Sequence, residues 1–183
     1  MTDPEPFIPA CPWHRAALPK RILAIRLQAM GDVVITLPYL YALQRSLSGT
    51  TIDFLTRQED GDIPRALRLF RCVEQLGGGR SERRQLMLTP LLAPQLWARR
   101  YDVVLDLQNN RVSRTMRRLV RPRAWASFDR TSPLPAGERT RRTIEAAGFP
   151  LPYVEAVLPL RDPSLGVDVL RHAHWDRPVA SSC

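Results

Sequence analysis

Lysine is nearly missing from this sequence: Lys20 is the only one among 27 basic residues, the rest being arginine, and 18 acidic residues leave a formal net charge of +9. Guanidinium forks pair bidentately with phosphate and carboxylate, so one reading is an anionic partner. The competing reading is an arginine-rich composition spread over solvated faces, and charge alone does not choose between them. Cysteine is scarce too. Cys11, Cys72 and Cys183 are widely spaced with no C-x-x-C pair, which argues against a disulfide framework or a zinc site and fits a reducing compartment. No apolar run approaches the roughly 20 residues that span a bilayer, and the first residues lack the basic-then-apolar order of a secretory signal. A cytoplasmic location is expected. Aromatic interleaving, a helix-turn-helix signal and a zinc motif are all absent, so nucleic acid is not the expected partner.

What is present suits one globular domain. The 183 residues are 44% hydrophobic and 25% charged, enough for a real core, with the 17 prolines assigned to connections. Residues 1–19 are proline-rich and without periodicity, and read as a flexible leader. Ile22–Leu27 is a short branched apolar run with the look of a strand buried on both faces. Val33–Leu47 then shows helical spacing. Strands are predicted again at Thr51–Thr56, Cys72–Leu76, Asp102–Leu107 and Ala124–Phe128. Helices are predicted at Ile63–Phe70, at Leu86–Arg100 with breaks near Pro90 and Pro94, at Val112–Val120, and at Glu138–Ala147, which Gly148 and Pro150 stop. Alternation of this kind implies an α/β fold, a Rossmann-like three-layer sandwich with a mostly parallel sheet. The domain is expected over residues 20–160. Residues 161–183, with a short helix over Leu165–Ala173, read as a truncated linker or tail in which His172 and His174 are surface residues.

Parallel sheets bind ligands at the carboxyl ends of their strands. Here that edge falls on Gln28, Ala29, Met30, Gly31 and Asp32 after the first strand, and on Gln108, Asn109, Asn110 and Arg111 after Leu107. The first loop has only Gly31, so the G-x-G-x-x-G spacing that lets backbone approach a pyrophosphate is missing and a nicotinamide enzyme is not expected. One glycine for a tight turn followed at once by a carboxylate is the pattern instead. Asp32 by itself is read as a helix N-cap. Asp106, Gln108, Asn109 and Asn110 are either hydrogen-bonding ligand contacts or an ordinary polar strand end. Arg111, Arg114 and Arg130 are candidates for phosphate or carboxylate groups. Arg117, Arg118, Arg121 and Arg123 are assigned to a solvated helix face, and Trp97 and Trp125 to the core.

The segment Met30-Gly-Asp-Val-Val-Ile-Thr-Leu-Pro, after a strand beginning Arg21-Ile-Leu, resembles the start of glycosyltransferase family 9, the ADP-heptose:lipopolysaccharide heptosyltransferases. Tyr101-Asp-Val-Val-Leu-Asp-Leu-Gln-Asn-Asn resembles the family's second landmark, with Asn109 where glycine is common. Ser127-Phe-Asp-Arg and Glu138-Arg-Thr-Arg-Arg-Thr-Ile-Glu-Ala-Ala-Gly resemble the strand and helix that close the N-terminal domain. The resemblance implies the N-terminal, acceptor-side half of a GT-B fold and an inverting, metal-independent sugar transfer in lipopolysaccharide core biosynthesis. It places the general base on Asp32; with a sugar acceptor, the strand-end residues Gln28, Met30, Gly31, Asp106, Gln108, Asn109, Asn110, Arg111 and Arg130 are the expected acceptor contacts. It implies no cofactor; the co-substrate is an ADP-sugar whose site belongs to a C-terminal donor-binding domain not found in these residues. The implied partner is an anionic lipid-linked sugar acceptor, the lipopolysaccharide inner core, with peripheral contact at the inner membrane surface. The chain alone is expected to be inactive or nearly so. The alternative is a non-catalytic anionic-glycolipid binding module or half of a split enzyme.

Overall fold

The computed structural model describes residues 8–151, 158–162 and 164. The helix expected over Leu165–Ala173, His172 and His174 lie outside the described residues. Six strands, β1 (Ala10–Cys11), β2 (Arg21–Ile25), β3 (Thr51–Arg57), β4 (Cys72–Leu76), β5 (Val103–Asp106) and β6 (Ala124–Ser127), form one sheet in the order β1-β6-β5-β2-β3-β4. All neighbours are parallel except β1, which runs antiparallel to β6 with Ala10 opposite Ala126. The chain is thus drawn into the sheet from Ala10, so the flexible leader expected over residues 1–19 is corrected for this stretch. Its two-residue strand was too short to show any alternation.

Period-2 side-chain alternation splits the core into two layers. Ile22, Ala24, Ile52, Phe54, Val103, Leu105, Ala124 and Ala126 face one side and pack under α1 (Met30–Ser46) and α5 (Ala136–Ala146). Leu23, Ile25, Leu55, Val104 and Trp125 face the other, under α3 (Glu82–Ala98) and α4 (Arg111–Val120). Phe54 and Phe70 stack with centroids 4.8 Å apart. Each of these buried aliphatic or aromatic side chains contributes about 1.5–3 kcal/mol relative to exposure, which is why the short strands hold without caps of their own.

Helix boundaries depart from expectation in three places. α1 begins at Met30, three residues earlier than Val33. The helix expected over Ile63–Phe70 is only one turn, α2 (Asp62–Arg65). α3 runs unbroken through Pro90 and Pro94; both prolines are exposed, on the side of the helix turned away from the core. At the C-terminal end of α3, Arg99 pairs with Asp53 and Glu74, while the Tyr101 hydroxyl donates to Asp53 Oδ2 at 2.7 Å. Burial and this hydrogen bond push the tyrosine well above its ordinary range.

Candidate active site at the carboxyl edge of the sheet

From β2 the chain steps outward through β3 and β4, then returns to the other side of β2 as β5. That reversal opens a crevice between the carboxyl ends of β2 and β5, the position where open α/β sheets bind ligands. Two polar side chains bridge it. Gln108 accepts from the Leu27 N–H at 3.0 Å through Oε1 and donates from Nε2 to Gln28 Oε1 at 2.9 Å.

Arg26, inside the apolar run after β2 and 5% exposed, ties the edge together. Its Nη1 donates to the Leu107 carbonyl, its Nη2 pairs with Asp32 Oδ2 at 3.0 Å, and its guanidinium lies 4.7 Å from the centre of the Phe128 ring. Arg139 sits 4.9 Å from the same ring. Burial pulls the Arg26 pKa down, and the Asp32 carboxylate opposes that pull. Sequence reasoning passed over this residue because it lies in a strand-like segment; a lone arginine flanked by Ile25 and Leu27 was the signal available.

Asp32 is not the N-cap. Ala29 holds that position, with φ 40 and no side-chain cap bond, and Asp32 lies in the first turn with its side chain 37% exposed. The turn that Gly31 was expected to provide is made by Ala29 in the left-handed half of φ space, which costs a non-glycine residue roughly 1–3 kcal/mol. Gly31 has ordinary φ, and a Cβ added there would meet nothing within 4 Å. Met30, half-exposed, and Gly31 therefore leave the start of α1 uncovered.

Asp106 is fully buried. Its Oδ1 accepts from the Asn109 and Gln108 N–H groups at 2.7 and 3.3 Å, while Oδ2 has no hydrogen bond and stands 4.0 Å from Arg117 Nε. Burial raises its pKa, against these hydrogen bonds and the Arg117 charge. With no exposed surface, it is placed to shape the turn that follows β5. Asn109 donates to the Phe128 carbonyl at 2.8 Å, and Asn110 caps α4 reciprocally with Ser113. Arg117 is not on a solvated face as expected: its guanidinium stacks 3.6 Å from the centre of the Trp125 ring, which is itself half-buried. Trp97, expected in the core, is 62% exposed.

Along this edge runs a cleft of about 320 Å³. Gln28 enters it after β2, Arg57 at the end of β3, Arg80 after β4, Asn110, Arg111 and Arg114 after β5, and Arg130 after β6. Glu82 is the only carboxylate in its lining. Arg57 is already held by Asp60 at 2.8 Å, whereas Arg80, Arg111 and Arg130 make no ion pair among the described residues. The Arg130 loop is fixed by Asp129, whose carboxylate accepts from the Thr131 hydroxyl and N–H; these bonds lower its pKa. Hollows of about 430 and 560 Å³ lie at the opposite edge, away from the crevice and its polar bridge.

A mostly parallel Rossmann-like sheet of this kind is the fold of one half of a GT-B glycosyltransferase. Solved structures of that class share it. The glycosyl transferase family 9 protein from Veillonella parvula DSM 2008 matches with a TM-score of 0.68 at 13% identity, over 88% of this chain and 51% of that one. E. coli ADP-heptose lps heptosyltransferase II matches at 0.58 and 16% identity, over 87% and 51%. E. coli heptosyltransferase WaaC, solved with ADP-2-deoxy-2-fluoro heptose, matches at 0.53 and 18%, over 87% and 56%. The likeness is one of fold, and the chain spans about half the length of each. No family model and no curated protein matches the sequence.

Proposed function

We propose that this chain is the acceptor-side domain of a heptosyltransferase-like glycosyltransferase of lipopolysaccharide core biosynthesis, and that its carboxyl-edge cleft receives an anionic, lipid-linked sugar. The observation that carries this reading is the clustering of Arg57, Arg80, Arg111, Arg114 and Arg130 around one cleft at the carboxyl edge; Asp32 does not line that cleft and is held at the start of α1 by Arg26. Arginines from four strand ends converge on a volume suited to a few sugar units, and their forks match phosphate or carboxylate substituents.

In the proposed reaction Asp32 accepts the proton of the acceptor hydroxyl as that oxygen attacks the anomeric carbon of the donor. The bond from that carbon to the diphosphate oxygen breaks, and ADP leaves with the electron pair. Configuration inverts in a single displacement, without a metal. Arg26 holds the carboxylate in place from behind, leaving the exposed part of Asp32 for the hydroxyl. The ADP-sugar would be held by a second domain, as the double length of the structural neighbours suggests, and leaving-group stabilisation would come from there.

Calorimetric titration of the chain with a truncated lipopolysaccharide bearing only the inner core tests the reading. Saturable binding that weakens roughly tenfold in an Arg111→Ala, Arg130→Ala double variant is expected. Absence of binding, or binding indifferent to both arginines, would refute it. The same acceptor mixed with ADP-heptose should release little ADP with this chain alone. Binding without transfer even beside a supplied donor domain would favour the glycolipid-binding module instead.

A further inference from the structure

The amino edge of the sheet, opposite the cleft, carries its own concentration of positive charge. The hollows of about 430 and 560 Å³ there share Arg100, Asp102 and Arg123 and so adjoin. Arg15, Lys20 and Arg21 line the first, on the stretch of chain that leads into β2, and Arg121 lines the second, at the end of α4. That stretch is a fixed wall: the Trp13 N–H donates to the Ala147 carbonyl at 2.9 Å and the indole N–H to the Ala17 carbonyl at 3.0 Å, while the Arg15 guanidinium lies 5.8 Å from the centre of the Trp13 ring. Asp102 is the only carboxylate in the lining of either hollow. Its Oδ2 is committed to the chain, accepting from the Lys20 and Arg21 N–H groups at 2.8 and 3.3 Å, and Arg123 approaches Oδ1 at 3.7 Å. Arg15, Lys20, Arg21, Arg100 and Arg121 make no ion pair among the described residues.

Helix ends alone do not account for this charge. α3 and α4 both finish at this edge, and a helix C-terminus attracts cations, but each end is equivalent to only about half an elementary charge. With Asp102 they supply about two negative charges against the six cations named; Arg99, which also lines the first hollow, is matched by Asp53 and Glu74. The left-handed position that closes a helix is usually a glycine, yet here it is Arg100 after α3 and Arg121 after α4, with φ 50 and 51. Arginine at such positions and like charges in one place both work against the fold, and an anion seated between them removes the repulsion. We propose that the adjoining hollows form a second binding site, for a free oligophosphate. The surplus of about four positive charges suits a chain of phosphates rather than a single one, and guanidinium forks grip its oxygens bidentately. The site uses neither Asp32 nor the cleft, so it stands apart from the catalytic reading.

Calorimetric titration of the full chain with sodium tripolyphosphate tests the proposal, in an Arg111→Ala, Arg130→Ala background that weakens the cleft as a competing site. Saturable binding is expected, and adding Lys20→Gln with Arg100→Gln should weaken it roughly tenfold or more. Inorganic phosphate at matched ionic strength should bind more weakly than tripolyphosphate. Arg100→Gly separates a ligand contact from a structural cap. Glycine relieves the left-handed backbone, so this variant should melt higher than the parent in the absence of ligand and gain less from tripolyphosphate. Absence of saturable binding, or binding indifferent to Lys20 and Arg100, would overturn the proposal. So would phosphate binding as tightly as tripolyphosphate, which marks a diffuse ion atmosphere, or a lower melting temperature for Arg100→Gly, which marks a cap. Single-stranded RNA binding more tightly than tripolyphosphate at these residues would replace the small-molecule site with a polynucleotide surface. Titration with inner-core acceptor reads the other edge of the sheet, so failure of either assignment leaves the other standing.

Discussion

At the scale of single residues, buried charge decides what each substitution does. Arg26 is buried and Asp32 partly exposed, so removing the carboxylate strands a guanidinium, whereas removing the guanidinium releases a carboxylate to water. Asp32→Ala should therefore abolish transfer in the assembled enzyme and also cost the chain about 1–3 kcal/mol in urea unfolding, more than Arg26→Met. Equal costs would show that the pair is not asymmetric. Asp106 gives a second case. Its folded pKa lies above the ordinary carboxylate value, so on raising pH through that interval the unfolded chain loses its proton first, and native stability falls. Asp106→Asn keeps an oxygen for the Asn109 and Gln108 N–H groups and removes the unsatisfied charge. It should melt higher than the parent near pH 7, with the gap closing toward pH 4, about the ordinary carboxylate value. A lower melting temperature at pH 7 would show that Arg117 more than repays the burial of the ion.

Among elements, the start of α4 is where capping and recognition coincide. The Asn110 side chain accepts from the Ser113 N–H at 2.8 Å while the Ser113 hydroxyl accepts from the Asn110 N–H at 3.0 Å. Arg111 and Arg114 occupy the turn that this box fixes. Asn110→Ala should cost about 1 kcal/mol in thermal or chemical unfolding and weaken acceptor binding beyond what loss of one side chain explains; Asn110→Asp, which restores the cap, should recover stability. The sheet and its helices were legible because the strands from Ile22, Thr51, Asp102 and Ala124 are buried on both faces and read as continuous apolar runs. The start of α1 was not, since Met30 and Gly31 are poor periodic signals and the turn is set by the backbone of Ala29, whose φ leaves no mark in composition. Of the site, Gln28, Asn110, Arg111 and Arg130 were placed at the cleft from their positions after strands. Arg57 and Arg80 were missed because β3 and β4 end without a recognisable motif, and Asp106 read as a ligand when its side chain turns inward to hold its own loop.

For the whole molecule, the net charge of +9 is unevenly used. Some arginines are neutralised internally, as Arg71 and Arg99 are by Asp53 and Glu74, and contribute to packing. Others converge on the cleft with one carboxylate for company. Salt separates the two populations, since partly buried pairs are screened little whereas an open cleft lies within reach of counter-ions, with a Debye length of about 10 Å at 0.1 M and about 3 Å at 1 M. Raising sodium chloride from about 50 mM to about 500 mM should weaken inner-core acceptor binding by roughly tenfold or more, while the melting temperature of the free chain moves by only a degree or two. Binding that ignores salt would mean that sugar hydroxyls on Gln28 and Asn110, rather than the arginines, hold the acceptor. A melting temperature that drops in parallel would instead place the excess charge in the fold itself, where clustered arginines would be stabilised by structural pairs rather than kept open for a ligand.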